Sequence, residues 1–206
     1  MNKKFFTLSQ RKQMRIIEAG IDVFGEFGYQ KANTDDIAAK AGISKGLLFY
    51  YFHNKKEFYL FLYDFFEKMI LKMLPLEDIQ DIDDFFDLLD YATKKKLMIV
   101  AKYPSLMNFI VKACYSQKDD ISLEMNQKMQ STIEHVFQVY FQYIDMTRFK
   151  DEIDFKQIYH MLLWMAEGYL LEKQRLGQHW SVEDMLNEFE IWKNLFKKMC
   201  YKEEYL

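Results

Sequence analysis

Proline is nearly absent from this 206-residue chain, which has 2, and glycine is scarce at 7. So few turn formers exclude a sheet protein with many tight connections and favour long helices. Cysteine is limited to Cys114 and Cys200, with no CxxC spacing. No disulfide framework is expected, and a reduced cytoplasm is the expected compartment. The longest apolar runs, Leu47 to Phe52 and Met161 to Ala166 among them, are far too short to span a bilayer, so no membrane partner is expected. Lys3 and Lys4 lack the following apolar core of a signal peptide.

Motifs of catalysis are missing too. There is no Gly-rich phosphate loop, no HExxH, no GxSxG and no Glu-x-x-His pair, and His53, His135, His160 and His179 are scattered. No enzyme, cofactor or metal is therefore expected. The acidic run from Glu77 to Asp90 has neither the ligand spacing nor the central glycine of a calcium loop. It reads as a solvated helix start whose Phe85, Phe86, Leu88 and Leu89 face inward.

What is present suits a helical protein with a sizeable core, 50% hydrophobic and 29% charged. The net charge of -3 is unevenly spread: residues 1–60 hold 10 Lys+Arg against 6 Asp+Glu, and the remainder holds 18 against 25. A basic head on an acidic body turns one end toward phosphate. Lys3, Lys4, Arg11, Lys12 and Arg15 either extend that contact or belong to a solvated, frayed end.

Thr34 to Glu57 carries the densest information. Thr34 is the expected N-cap of a short helix, Asp35 and Asp36 suit its dipole, and Ile37, Ala38 and Ala41 give it an apolar face. Gly42 fits a left-handed turn, Ile43 plugs the angle, and Ser44 caps a second helix over about Lys45 to Tyr51. Leu48 and Phe52 face the core, which leaves Lys45, Gly46, Leu47, Phe49, Tyr50 and Tyr51 outside. A solvated helix does not normally expose so much aromatic area. Lys45 can meet a phosphate, Gly46 permits close approach, Leu47 can touch a thymine methyl, and the tyrosine hydroxyls can bond phosphates or base edges. Asn54 and Glu57 form a capping box that aims Lys55 and a helix N-terminus the same way.

From about Ser9 to Phe61, with FGEFGY, TxxDIAxxAGISKGxLxYYF and NKKE in order, the chain resembles the N-terminal domain of TetR-family transcriptional regulators. The resemblance implies an all-α fold: a three-helix helix-turn-helix domain over 1–54, and a helical ligand-binding and dimerisation domain over 55–206. It implies a homodimer that binds a palindromic operator in double-stranded DNA, most often as a repressor, and is released by a small hydrophobic or aromatic effector. The residues it places at DNA are Thr34, Ser44, Lys45, Gly46, Leu47, Phe49, Tyr50, Tyr51 and Lys55. Phe49 stands where many members have tyrosine, and His53 replaces a frequent lysine. A ligand-independent architectural DNA binder would share this head, and an all-helical enzyme is the remaining alternative.

Nine helices are expected in all. The first runs from Ser9 to Phe27 and ends at Gly28; the fourth runs from Lys55 to about Leu74, before Pro75, and bridges head and body. The others cover about 82–102, 104–116, 119–145, 154–176 and 182–201. In the last, Val182, Met185, Phe189, Trp192, Phe196 and Met199 alternate at spacings of three and four, and the eighth is apolar nearly all round from Ile158 to Leu171. Ile158, Leu162, Met185, Phe189, Trp192 and Phe196 are the expected dimer contacts. The body is rich in methionine and aromatics. Phe61, Phe65, Met69, Met98, Met107, Ile110, Met129, Phe137, Trp164 and Glu167 are candidates to line an effector site, although stripes of this kind also make ordinary core.

Overall fold

The computed structural model describes residues 2–115, 120–178 and 181–206; the expected helix junction at 116–119, the side chain of Cys114 and His179 lie outside them. Among the described residues ten α-helices follow a 3-10 turn at Lys3–Thr7: α1 Gln10–Lys31, α2 Thr34–Ala41, α3 Lys45–Phe52, α4 Lys55–Lys72, α5 Leu76–Ile79, α6 Phe85–Lys102, α7 Ser105–Tyr115, α8 Asp120–Tyr140, α9 Phe155–Arg175 and α10 Val182–Cys200. Among the described residues the one β feature is an isolated bridge between Phe149 and Tyr201. No helix among them is long and apolar enough to cross a membrane. The all-α expectation holds. The tenth helix is the single turn α5, which follows Pro75, and the expected helix to residue 145 instead ends at Tyr140 in two 3-10 turns.

The chain divides into two compact units, Met1–Lys72 with Lys102–Ser131 and Met73–Ala101 with Thr132–Leu206. The first takes in α4 and α7 as well as the helix-turn-helix. Glycine makes this possible. A Cβ built on Gly25 would lie 2.9 Å from the carbonyl oxygen of Ser105 and 3.3 Å from the amide of Phe109, so α1 and α7 approach backbone to backbone. At Gly20 a Cβ would strike Phe58 and Leu62 of α4 at 2.6 and 2.7 Å. Gly28 has φ 71° and ψ 171° within the range of α1, so the regular helix ends there as expected, and a final turn follows to Lys31.

The second unit packs around aromatic rings. Phe85, at the start of α6, meets Phe141, Phe149 and Phe155 at centroid distances of 5.3, 5.6 and 6.0 Å. Phe85, Phe86, Leu88 and Leu89 face inward as expected, but Asp84 does not behave as a solvated residue. It is buried, accepts from the amides of Phe86 and Asp87 at 2.8 and 3.1 Å, and pairs with Arg148 and Lys197, each at 3.1 Å. Burial pushes its pKa up, yet the bonds from Lys197 and the two amides outweigh that and hold the carboxyl below its ordinary value. Here the acidic run supplies a helix cap and a buried ion pair.

Candidate nucleic-acid interface

The turn between α2 and α3 fixes the geometry of the head. Gly42 adopts φ 63° and ψ 40°, and Ile43 donates its N–H to the carbonyl of Ala38 at 3.0 Å, closing α2 with a left-handed cap. Ser44 then accepts from the amide of Leu47 at 3.1 Å and starts α3. The guanidinium of Arg15 lies 3.5 Å from where a Cβ on Gly42 would stand, so the turn also carries a cation from α1. One cap differs from expectation. Asn33 accepts from the amide of Asp35 at 2.9 Å and is the N-cap of α2, while Thr34 is the first helical residue and is 92% buried by its 8% exposure.

Helix α3 presents Ser44, Lys45, Gly46, Leu47 and Tyr50 to solvent, and Phe49 is half-buried. Tyr51 departs from this pattern. It is buried, with its ring 5.8 Å from Phe5 and its carbonyl accepting the Asn2 amide at 2.7 Å. The periodicity of α3 alone leaves Tyr51 outside, but the N-terminal turn covers it. Lys45 is exposed and pairs with Asp35 at 2.9 Å, a solvated pair that a phosphate can displace at little cost.

Lys55 is committed inward. Its ammonium donates to the carbonyl oxygens of Ala32 at 2.7 Å and Gln30 at 3.3 Å and lies 4.9 Å from the Tyr29 ring centroid. Burial lowers its pKa. The residue expected to reach DNA therefore satisfies carbonyls where α1 ends. Asn54 accepts from the amide of Glu57 at 2.8 Å and starts α4. Between them His53 has φ 59° and ψ -47°, and the Asn54 amide donates to the Phe52 carbonyl at 2.6 Å, a γ-turn of the strained positive-φ kind.

The N-terminal turn is ordered against α3 and is not a frayed end. Phe5 is 0% exposed and packs 4.9 Å from Phe52 and 5.3 Å from Phe61. Burying such a ring contributes about 2–3 kcal/mol toward ordering the terminal segment, alongside its hydrogen bonds. The Phe5-Phe6 pair after two lysines was the available signal. Lys4 lies 5.6 Å from the Tyr50 ring centroid. Hydrogen bonding between the two raises the Lys4 pKa and lowers that of Tyr50.

The residues expected at an effector fall in both units. Phe61, Phe65, Met69, Met107, Ile110 and Met129 are half-buried in the first unit, and Phe61 is engaged by Phe5 and Phe52 of the head. Met98, Phe137, Trp164 and Glu167 are in the second. Phe137 stacks on Phe141 and Phe155, each at 5.1 Å. Met98 and Trp164 are 62% and 56% exposed, so neither lines the interior of its own unit. Met98 falls in phase with Lys94 and Lys102 on the outer side of α6 rather than with the buried Leu97 and Val100.

Most of the residues expected at a dimer contact pack within the single chain. Ile158, Leu162, Met185, Phe189 and Phe196 are buried within the protomer, and half-buried Trp192 meets Tyr169 of α9 edge-on at 6.0 Å. The regular three-four seam thus closes α10 onto its own chain. Exposed apolar residues lie beside it instead: Ile191, Leu195 and Met199 on α10, and Met161 and Trp164 on α9. At 3.6 residues per turn the inward stripe runs on from Phe196 to Cys200, and Met199 rotates out.

Residues 16–61 match the family model of bacterial regulatory proteins, tetR family. The fatty acid metabolism regulator protein of Bacillus subtilis (strain 168) is 33% identical over 98 residues, which cover 47% of this chain and 45% of that protein. The HTH-type transcriptional regulator RutR of Escherichia coli (strain K12) is 39% identical over 49 residues, 24% of this chain and 23% of RutR. The chain thus spans less than half the length of these curated relatives. Solved structures resemble it over most of its length. The fatty acid degradation regulator FadR from Bacillus halodurans superimposes with TM-score 0.70 at 17% identity, covering 89% of this chain and 97% of FadR. The transcriptional regulator FadR from Bacillus subtilis, solved in complex with stearoyl-CoA, gives 0.65 at 19% identity, with 88% and 96% covered. These two likenesses are likenesses of fold.

Proposed function

Because the chain belongs to the tetR family of bacterial regulatory proteins through its N-terminal domain, we propose that it is a DNA-binding transcriptional regulator whose α3 reads the major groove. The observation that carries this reading is the exposed face of α3. Lys45, Gly46, Leu47 and Tyr50 stand outward on a helix whose start is fixed by the left-handed Gly42 and the Ser44 cap. Small and apolar groups beside a cation and a phenol suit a base edge flanked by phosphate.

In this reading two copies pair through the exposed stripes of α9 and α10 and read a palindrome, with half-sites ~34 Å apart or a multiple of that. The bound protein represses. An effector with a long apolar chain releases it; the fold likeness to a regulator solved with stearoyl-CoA, and the Met-rich and aromatic composition, support that choice. The effector must bind the DNA-free state more tightly, because equal affinity for both states would shift nothing.

DNA selection with the purified protein tests the first claim, with an enriched palindrome as the expected result. Affinity for that duplex is then measured with long-chain acyl-CoA, free fatty acid and short-chain acyl-CoA. A fall confined to the long-chain ligands supports the effector class, and unchanged affinity with all three bound rejects it.

A further inference from the structure

Of the lysines on and beside α3, Lys55 is bonded inward, while Lys45 and Lys56 stand in exposed ion pairs. Lys55 bonds the carbonyls of Ala32 and Gln30, Lys45 pairs with Asp35 at 2.9 Å, and Lys56 pairs with Glu124 at 2.8 Å. Lys3 and Lys4 have no carboxylate partner among the described residues, and both are exposed. They sit on a turn that folding has already ordered. Asn2 accepts from the Lys4 amide at 3.0 Å and donates its own amide to Tyr51 of α3, while Thr7 donates to the Lys4 carbonyl at 2.8 Å. Phe5 locks the turn between Tyr51, Phe52 and Phe61.

We propose that this N-terminal turn is a second DNA-contacting element, in which Lys4, with Lys3 beside it, binds backbone phosphate at the edge of the groove that α3 enters, and Phe5 fixes its register. The inference rests on the DNA-binding reading of α3. Three observations carry it: the depth of the Phe5 anchor, the backbone bond from Asn2 to α3, and the position of the Lys4 ammonium over Tyr50, the most exposed aromatic of α3 at 44%. A lysine on a frayed end loses binding free energy to ordering, whereas a lysine on a docked turn meets the phosphate preorganised. The turn therefore supplies the phosphate contact that Lys55, turned inward, does not.

The test compares wild type, Lys4→Ala and the Lys3→Ala/Lys4→Ala double variant on the selected duplex and on a random duplex, from 50 to 200 mM salt. The slope of log affinity against log salt should flatten by about one per bound head for Lys4→Ala, or roughly three- to fourfold less change across that range, and further for the double variant. Preference between the duplexes and the unfolding midpoint should not move. Phe5→Leu, which keeps an apolar anchor, should retain more of the slope than Phe5→Ala. An unchanged slope in the double variant, with wild type binding the selected duplex, overturns the proposal and leaves the reading of α3 intact. If wild type binds no duplex more tightly than heparin, the DNA reading fails and takes this proposal with it.

Discussion

The ammonium of Lys55 donates to the carbonyl oxygen of Ala32 at 2.7 Å, across 23 residues of sequence. This ties the start of α4 to the end of α1 and makes Lys55 a structural group. Charge-assisted bonds of this kind contribute about 1.5–3 kcal/mol. Lys55 keeps some solvent access, so Lys55→Ala should lower stability in urea by about 1–2 kcal/mol. The salt slope of DNA binding should stay at its wild-type value. A slope flattened by one with an unmoved urea midpoint would return Lys55 to the phosphate.

Most of the head was legible because its signals are local. Gly42, Ser44, Asn54 and the spacing of Leu48 and Phe52 each act within one or two turns, and the structure places them as the sequence suggests. The burial of Tyr51 and the inward bond of Lys55 were not legible, because their partners come from residues far along the chain, Phe5 and Ala32. No helical period contains that information. The body is less legible for a related reason: a three-four seam says that a stripe is buried, and not whether the burying surface belongs to the same chain.

His53 stores strain at the junction of α3 and α4. Its φ of 59° and ψ of -47° lie where a side chain is disfavoured, and such residues cost on the order of 1–3 kcal/mol. Glycine removes that strain and loses about 0.5–1 kcal/mol to the freedom of the unfolded chain. His53→Gly should therefore be more stable by about 1 kcal/mol in chemical denaturation. An unchanged or lower midpoint would mean that the junction is relaxed with histidine in place.

Gly25 leaves no room for a side chain. A methyl there meets the Ser105 carbonyl at 2.9 Å and the Phe109 amide at 3.3 Å, and backbone cannot rotate away as a side chain does. Gly25→Ala gains helix propensity but forces α1 and α7 apart, with a net loss of about 1–3 kcal/mol expected from overpacking. A thermal melt decides the sign. A rise in midpoint would show that α7 yields freely.

Asp84 contributes to the acid sensitivity of the second unit. Its folded pKa is held below the ordinary value, so its stabilisation is present above the unfolded-state value of about 3.9 and is lost as pH falls through the folded one. Wild type should lose stability on going from pH 7 to pH 3, and Asp84→Asn should start lower and fall less steeply. Because Arg148 and Lys197 keep partial solvent access, the loss at pH 7 should sit near the low end of the range for buried pairs, about 3 kcal/mol. Parallel pH profiles for the two proteins would assign the acid sensitivity to other carboxyls.

The two apolar stripes of α10 make opposite predictions, which is why they can be told apart. Phe189 and Phe196 are buried in the protomer, so Phe189→Ala should cost about 3–5 kcal/mol of stability through the cavity it leaves. Ile191, Leu195 and Met199 are 62%, 53% and 57% exposed, so Leu195→Glu removes little protomer packing. If a second copy covers that stripe, the glutamate is buried without a partner on both sides of the two-fold axis, and association should fail. Light scattering should then report a monomer for Leu195→Glu whose circular dichroism spectrum matches wild type. A Leu195→Glu protein that remains a dimer at the same dilution would move the interface off this face of α10.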